Sequence, residues 1–294
     1  MAAFGKPRDV TGKMGTFQST LVPMDLLGLI TSPTGIPIAV SGTSQRTFTV
    51  NASVSNPVLY WDGRDFVSLR ESKSHDMGTG STNSVLATTG ALATSQTPGA
   101  VGMKYYYLGM DTTGALTLAP STVAPSYVEG PFPGTILGHP GTTRDRVWRY
   151  MGFSFMSATT PVFDYFVKSG KYYGFSNHAY AGVDTQPGLI TMAVVPAIAG
   201  IKISGYCTGA ATGQAVELGM ATHNVTTNGV VGAWKGQTMG ATAPAGTTAV
   251  SPNPYPSFTD LPIAISGTSA GLVAHIEATA TTVNIHVTSI SDVV

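Results

Sequence analysis

Charge is what this chain has least of. Only 10% of its 294 residues are charged, 15 basic against 15 acidic, so the formal net charge is zero. Ordinary globular proteins carry about 25% charged residues. A chain so poor in charge repels its own copies weakly and tends to associate, which fits a working life inside an assembly. The neutral balance, with no Lys/Arg cluster, argues against a nucleic-acid or anionic-membrane partner, because both are held by concentrated positive charge. Cysteine is nearly missing as well. Cys207 stands alone, which excludes an intrachain disulfide and a cysteine-based zinc site.

Long apolar runs are absent too. Nothing approaches the roughly 18 consecutive apolar residues of a membrane span. The opening "MAAFGKPRDVTGKMG" has no apolar h-region of the secretory type, so synthesis in a reducing cytoplasm is expected. The sequons Asn51-Ala52-Ser53 and Asn224-Val225-Thr226 then carry no meaning. Helical periodicity is scarce. Its best instance, "PMDLLGLI" at 23–30, is short and interrupted by Gly28.

What the chain does have is small and turn-forming residues, with 35 Gly and 19 Pro beside many Thr and Ser. Between the turns lie strand-like runs of about five to eight residues. That spacing predicts an all-β fold, β-sandwich or jelly-roll domains with an extended N-terminal arm. Residues 1–35 form the arm, rich in turn formers and poor in strand pattern. Residues 36–175 form an aromatic-rich β-domain, 176–188 a linker, and 189–294 a C-terminal β-sandwich poor in charge. A short echo links the two domains, since "IPIAVSGTS" at 36–44 returns as "LPIAISGTS" at 261–269.

The second copy of that echo opens a G-x-S-x-G match, Gly267 to Gly271 around Ser269. A hydrolase nucleophile elbow needs a strand before its serine and a helix after it. After Ser269 the alternation has period two. Leu272, Ala274 and Ile276 lie on one face, Val273, His275 and Glu277 on the other, and a second alternating run begins at Val283. The pattern predicts a hairpin, so Ser269, Glu277 and His286 do not form a triad and no catalytic residue is assigned. That hairpin would set His275 opposite His286, a pair able to hold a metal ion only if a further ligand joined them. A solvated polar face is the simpler reading, and no metal ligand or cofactor is assigned. "DGRD" at 62–65 lacks the ligand run of a calcium loop. "RDRVWR" at 144–149 reads better as a strand with local ion pairs than as an anion site. The chain is therefore expected not to be an enzyme.

The most informative stretch is 104–175. "KYYYLGMDTTGALTLAP" reads as a hairpin around Asp111-Thr112-Thr113-Gly114. In "RVWRYMGFSFM" neither face of the strand is polar. Simple alternation puts Trp148, Tyr150 and Met156 on one side, with Met151, Phe153 and Phe155 on the other. A strand apolar on both faces must be covered on both, and low charge favours a neighbouring subunit as one cover. Trp148, Tyr150, Met151, Phe153 and Phe155 are therefore the candidate subunit-interface residues.

The segments "YYYLGMDTTGALTLAPST" and "RVWRYMGFSFMSATTPVFDYFVKSGKYYGFS" resemble strand–turn segments of tailed-bacteriophage virion structural proteins, namely head-decoration proteins, head fibres and tail fibres. The resemblance spans about 70 residues and is one of style, with Pro161 in the second turn departing from the commonest form. It implies a β-rich, homotrimeric, non-enzymatic virion component, assembled in the cytoplasm of a bacterial host. In that setting the arm binds other virion proteins of capsid or tail. Ordering it costs roughly 1–2 kcal/mol per residue of backbone, whereas a groove that buries Leu26, Leu27, Leu29 and Ile30 gains about 1.5–3 kcal/mol for each. The expected function is to decorate or stabilise a capsid from outside or to form a short fibre. The alternative is a tail fibre or receptor-binding protein that contacts a bacterial surface glycan. Trp234, Tyr206 and Tyr255 would be its few Trp and Tyr platforms after 188.

Overall fold

The computed structural model describes residues 8–9, 38–41, 47–55, 57–62, 66–76, 83–96, 102–129, 136–143, 146–157, 160–161, 166–168, 171–173, 179–182, 188–193, 195–208, 216–221, 225–226, 229–230, 234–239, 257–266, 268–276 and 283–291. Among the described residues there are strands and no helix. The fold is all-β, as short strands between Gly-, Pro- and Thr-rich turns require. Strands are numbered β1 to β27 in chain order. The chain divides into two compact units, Met1–Gly170 with Val294, and Lys171–Val293.

The first unit is built on a six-stranded antiparallel sheet. Its order is β10 (Leu116–Ser121), β9 (Gly102–Met110), β13 (Arg149–Ser157), β12 (Ile136–Gly138) and β11 (Ser126–Val128), with β14 (Thr160–Pro161) also on β13. The β9–β10 hairpin turns where the sequence predicts. Asp111 Oδ1 accepts from the Thr113 and Ala115 N–H groups at 2.8 and 3.0 Å and from Thr113 Oγ1 at 2.6 Å.

Three smaller sheets complete this unit. One runs β2 (Ile38–Ser41), β3 (Thr47–Val50) and β6 (Lys73–Asp76), with β15 (Phe166–Lys168) on β2. Another joins β4 (Val58–Trp61) to β5 (Phe66–Leu69), and a third pairs β7 (Asn83–Leu86) with β8 (Leu92–Gln96). Within the arm, β1 (Arg8–Asp9) lies parallel on β5, Arg8 opposite Val67.

One apolar core joins three of these sheets. Phe48 and Val50 of β3, Val58 and Tyr60 of β4, and Val67 and Leu69 of β5 meet Tyr106, Leu108, Leu116, Leu118 and Met151 of the large sheet. Phe48 stacks on Tyr106 with centroids 3.8 Å apart, an aromatic contact worth about 0.5–1.5 kcal/mol beyond its buried area.

The second unit holds two main sheets. One has the order β24 (Ser257–Pro262), β19 (Lys202–Thr208), β27 (Val283–Ser291), with β16 (Lys171–Tyr173) and β17 (Ala179–Gly182) both on β27. The other runs β18 (Gly188–Thr191), β26 (Ser269–Ile276), β20 (Val216–Ala221) and β23 (Trp234–Met239), with β25 (Ala264–Ser266) also on β26. A separate pair joins β21 (Val225–Thr226) to β22 (Gly229–Val230). The sequence placed its linker at 176–188; the observed division falls at 170/171, and 179–182 forms β17.

The hairpin expected from 272–288 does not form. β26 and β27 are successive strands but lie in different sheets. The reason is geometric. One edge of β27 is filled by β19, and the other by β17 along 283–286 and by β16 along 289–291. No edge is left for β26. Alternation reports which residues share a face and says nothing about which strand lies alongside. Each copy of the echo has a strand paired with the next one, but over different spans: Ser41 pairs with Thr47, and Ser266 with Ser269.

Candidate functional site

Ser269 begins β26 directly after a tight turn from β25, with Ser266 opposite it. Strand, turn and strand replace the strand, turn and helix that an oxyanion hole requires. The other members of the nominal triad are scattered. His286 lies on β27 in the other sheet, opposite Tyr206 and Ala179, and Glu277 lies outside the described residues. His275 lies opposite Glu217 of β20 and does not face His286. Among the described residues no group of three or more His, Cys, Asp or Glu could hold a metal ion.

A different serine and histidine do meet. Ser121 Oγ lies 3.1 Å from His139 Nε2 in the first unit, and both side chains are buried. The Gly141 N–H donates to His139 Nδ1 at 3.0 Å. With Nδ1 accepting, the neutral ring carries its proton on Nε2 and donates it to Ser121. Ser121 Oγ also accepts from the Val123 N–H at 3.2 Å. In a catalytic pair the proton runs the other way, from the serine to the imidazole. Burial holds the His139 imidazole below its usual pKa, which keeps this polarity at neutral pH. The pair joins β10 to the turn after β12, with the Tyr107 ring edge-on to the imidazole at 5.0 Å.

The candidate interface residues, Trp148 just before β13 and the others within it, are brought together, but inside the chain. Trp148, Tyr150, Met151 and Phe153 are 0–1% exposed, and Phe155 is half-buried. The cover that the sequence reading assigned to a neighbouring subunit is supplied by the same chain, so these four side chains present no surface to another copy. Their faces also differ from simple alternation. A bulge shifts the register so that Tyr150 opposes Tyr107 and Gly152 opposes Tyr106, with Met151 as the extra residue. Gly152 takes φ 147° there, in the region where side chains are strained. The bulge leaves Tyr150 and Phe153 opposite Tyr107 and Tyr105 on one face, while Met151 joins the core with Leu108.

Arg149, at the end of "RDRVWR", is 2% exposed and donates through Nη1 to the Leu59 carbonyl. Burial pulls its pKa down to about 10. It is a strut between β13 and β4, out of reach of an external anion. The arm residues Leu26, Leu27, Leu29 and Ile30 lie outside the described residues, as does Tyr255.

The second unit holds an arrangement that the sequence did not announce. Around Ser204 the sheet is irregular on both sides at once. Between the β19–β24 pairs Ile203–Leu261 and Gly205–Phe258, Ser204 faces two residues, Thr259 and Asp260. Between the β19–β27 pairs Ser204–Ser289 and Gly205–Val287, β27 has Thr288 in excess. Both bulges converge on Ser204. The Asp260 N–H donates to Ser204 Oγ at 3.0 Å, and Thr288 Oγ1 donates to the Ser204 carbonyl at 3.1 Å. Ser291 Oγ then donates to Asp260 Oδ1 at 3.3 Å.

Asp260 has φ 50° and is the only non-glycine with positive φ among the described residues. One step along the same face, Tyr206 and His286 stack with centroids 4.6 Å apart and planes within 9°. Two adjacent bulges and one left-handed aspartate are features that re-aim side chains at working surfaces. Only pairing reveals them, because Ser204 and Asp260 are 56 residues apart.

No protein-family model matches the chain, and no curated protein or solved structure is found to be similar to it.

Proposed function

We propose that the chain is a non-enzymatic structural protein on the exterior of a tailed-phage virion, where it decorates or stabilises the capsid or forms a short fibre. The observation that carries this reading is that the described residues of a chain with 10% charged residues are all-β, and that their nearest approach to a catalytic pair is locked with the wrong polarity. The resemblance of 104–175 to virion strand–turn segments supplies the setting. Assembly takes place in the cytoplasm of a bacterial host, and the working form is a homotrimer. Its subunit contacts lie elsewhere than on the buried β13 side chains. The arm, through Leu26, Leu27, Leu29 and Ile30, docks on other capsid or tail proteins.

Deletion of residues 1–30 tests the reading. A truncated protein with unchanged β-sheet circular dichroism that no longer co-sediments with particles lacking the protein supports it. Co-sedimentation at full occupancy removes the anchor. Light scattering of the intact protein tests the trimer, and a stable monomer at micromolar concentration removes it. The alternative reading, a fibre that contacts a bacterial surface glycan, has one observation in its favour: the outward Tyr206–His286 pair of the second unit.

A further inference from the structure

We infer that the outward face of β19, β24 and β27 binds a neutral sugar residue of a polysaccharide, with Tyr206 and His286 as its stacking platform and Asp260, Ser204 and Thr288 as its polar rim. It deepens the alternative reading, contact with a glycan, and does not rest on the capsid role.

Side-chain direction places these groups on one surface. Ile203, Phe258, Leu261 and Ile285 are buried on the inner face of the sheet, so the intervening residues point outward. Tyr206, His286 and Ser204 are half-buried, and Asp260 and Thr288 are exposed. Tyr206 opposes His286 directly across the ladder. Ser204, two residues from Tyr206 on the same strand, lies roughly 7 Å away along the sheet. A pyranose ring spans a distance of that order.

The chemistry narrows the occupant. A sugar offers a face of C–H groups, which packs against an aromatic ring, and a rim of hydroxyls that both donate and accept. Tyr206 and His286 cover one face of each other, so the outer face of one ring is what is left for a sugar, beside the polar groups. Asp260 supplies a carboxylate acceptor, the Ser204 hydroxyl, which accepts from the Asp260 N–H, keeps its proton to donate, and Thr288 Oγ1, whose proton goes to the Ser204 carbonyl, can accept. Asp260 is the only carboxylate among these groups, and the exposed Lys202 on the same face of β19, opposite Ser291, balances its charge, so the face carries no net charge that would select a charged sugar. A purely apolar partner would bury the carboxylate without compensation.

The strained backbone also has a use at this face. The bulge opposite Ser204 gives β24 an extra residue and holds Asp260 at φ 50°, so its carboxylate stands at the surface with Ser291 steadying one oxygen. Holding a polar group in place before the ligand arrives reduces the ordering cost of binding.

The test uses the intact protein and immobilised dextran, mannan, galactan and laminarin, together with an array of bacterial O-antigen oligosaccharides. Saturable retention on at least one neutral glycan is expected, competed by its own monosaccharide. Tyr206→Ala and Asp260→Asn should each weaken it at least ten-fold, with unchanged circular dichroism, while Tyr206→Phe retains it. If Tyr206→Ala does not fold, Asp260→Asn carries the test alone, since asparagine adopts the left-handed conformation readily. No retention on any glycan, or retention unchanged by Asp260→Asn, overturns the inference. Self-association lost in Tyr206→Ala, without glycan retention, reassigns the face to a second copy and overturns it as well. Particle attachment is read separately, so either proposal can fail without the other.

Discussion

In Met1–Gly170 the buried side chains include Phe48, Tyr60, Tyr105, Tyr106, Tyr107, Trp148, Tyr150 and Phe153, whereas in Lys171–Val293, among the residues whose side chains are described, the buried aromatic is Phe258. The second unit fills its interior with Met192, Val195, Ile198, Ile203, Leu261, Leu272, Ile285 and Ile290. Polar burial follows the same division. Lys104, His75, His139 and Arg149 are buried in the first unit, and Ser289 is the buried polar residue of the second among those whose side chains are described. Both units are antiparallel β-structures, yet they reach close packing by different routes. Large rings fill space and bring hydroxyl and imidazole groups inside, which then need partners. Aliphatic side chains fill space without bringing polar groups inside, while close backbone approach at glycine occurs in both units, at Gly90 and Gly141 in the first and at Gly205 in the second.

Two glycines, one in each unit, offer the sharpest ways to test that difference. A β-carbon on Gly205 would lie 1.9 Å from the His286 carbonyl oxygen, and on Gly109 it would lie 2.2 Å from Trp148 Cε3. The first obstacle is backbone inside a paired sheet, so Gly205→Ala should have the largest effect of any substitution considered. Hydrogen exchange should lose protection over 202–208, 257–262 and 283–291 and keep it over 102–121 and 149–157. Equal loss in both halves would show that the units do not carry separate cores.

The second obstacle is a side chain, and a ring can be exchanged. Gly109→Ala should cost about 1–3 kcal/mol by overpacking, read from denaturant midpoints. Combining it with Trp148→Phe should recover part of that loss, because the two changes share one space. Simple additivity would contradict the contact.

Acid should separate the units next. Burial holds the His139 imidazole below its usual 6.5. Between 6.5 and the lower folded value, the unfolded chain binds a proton that the folded one refuses. The stability contribution is therefore complete above about pH 6.5 and is lost as pH falls through that window. His286 is shifted the same way by burial, so the deciding control is His139→Gln. Hydrogen exchange over 116–121 and 136–143 on both sides of pH 6.5 should show the loss in the wild type and a flatter response in the variant.

The smallest effect belongs to the exposed hairpin of the first unit. Asp111→Ala removes three hydrogen bonds from the β9–β10 turn, but water replaces them, so about 1 kcal/mol or less is expected. A larger shift in thermal midpoint than Gly109→Ala produces would mean that the turn, and not the ring packing, limits the stability of the first unit.

Sequence alone determined the class of structure and several local details. Short alternating runs between turn formers made the fold all-β, Asp111-Thr112-Thr113-Gly114 marked a turn, and period-two alternation after Ser269 specified a strand where an elbow needs a helix. Each is a property of neighbouring residues, set by backbone geometry and steric preference within a few positions. Tertiary structure decided the rest. It separated β26 from β27 because the edges of β27 were already filled, and it placed His275 and His286 in different sheets. Through the bulge at Met151 it changed which rings of β13 share a face, and it covered Trp148, Tyr150, Met151 and Phe153 from within the chain. It also paired Ser121 with His139 and gathered Ser204, Asp260 and Thr288 at one double bulge. Those outcomes depend on which strand lies beside which, a long-range choice made by packing and hydrogen-bond competition, and no short stretch of the sequence records it.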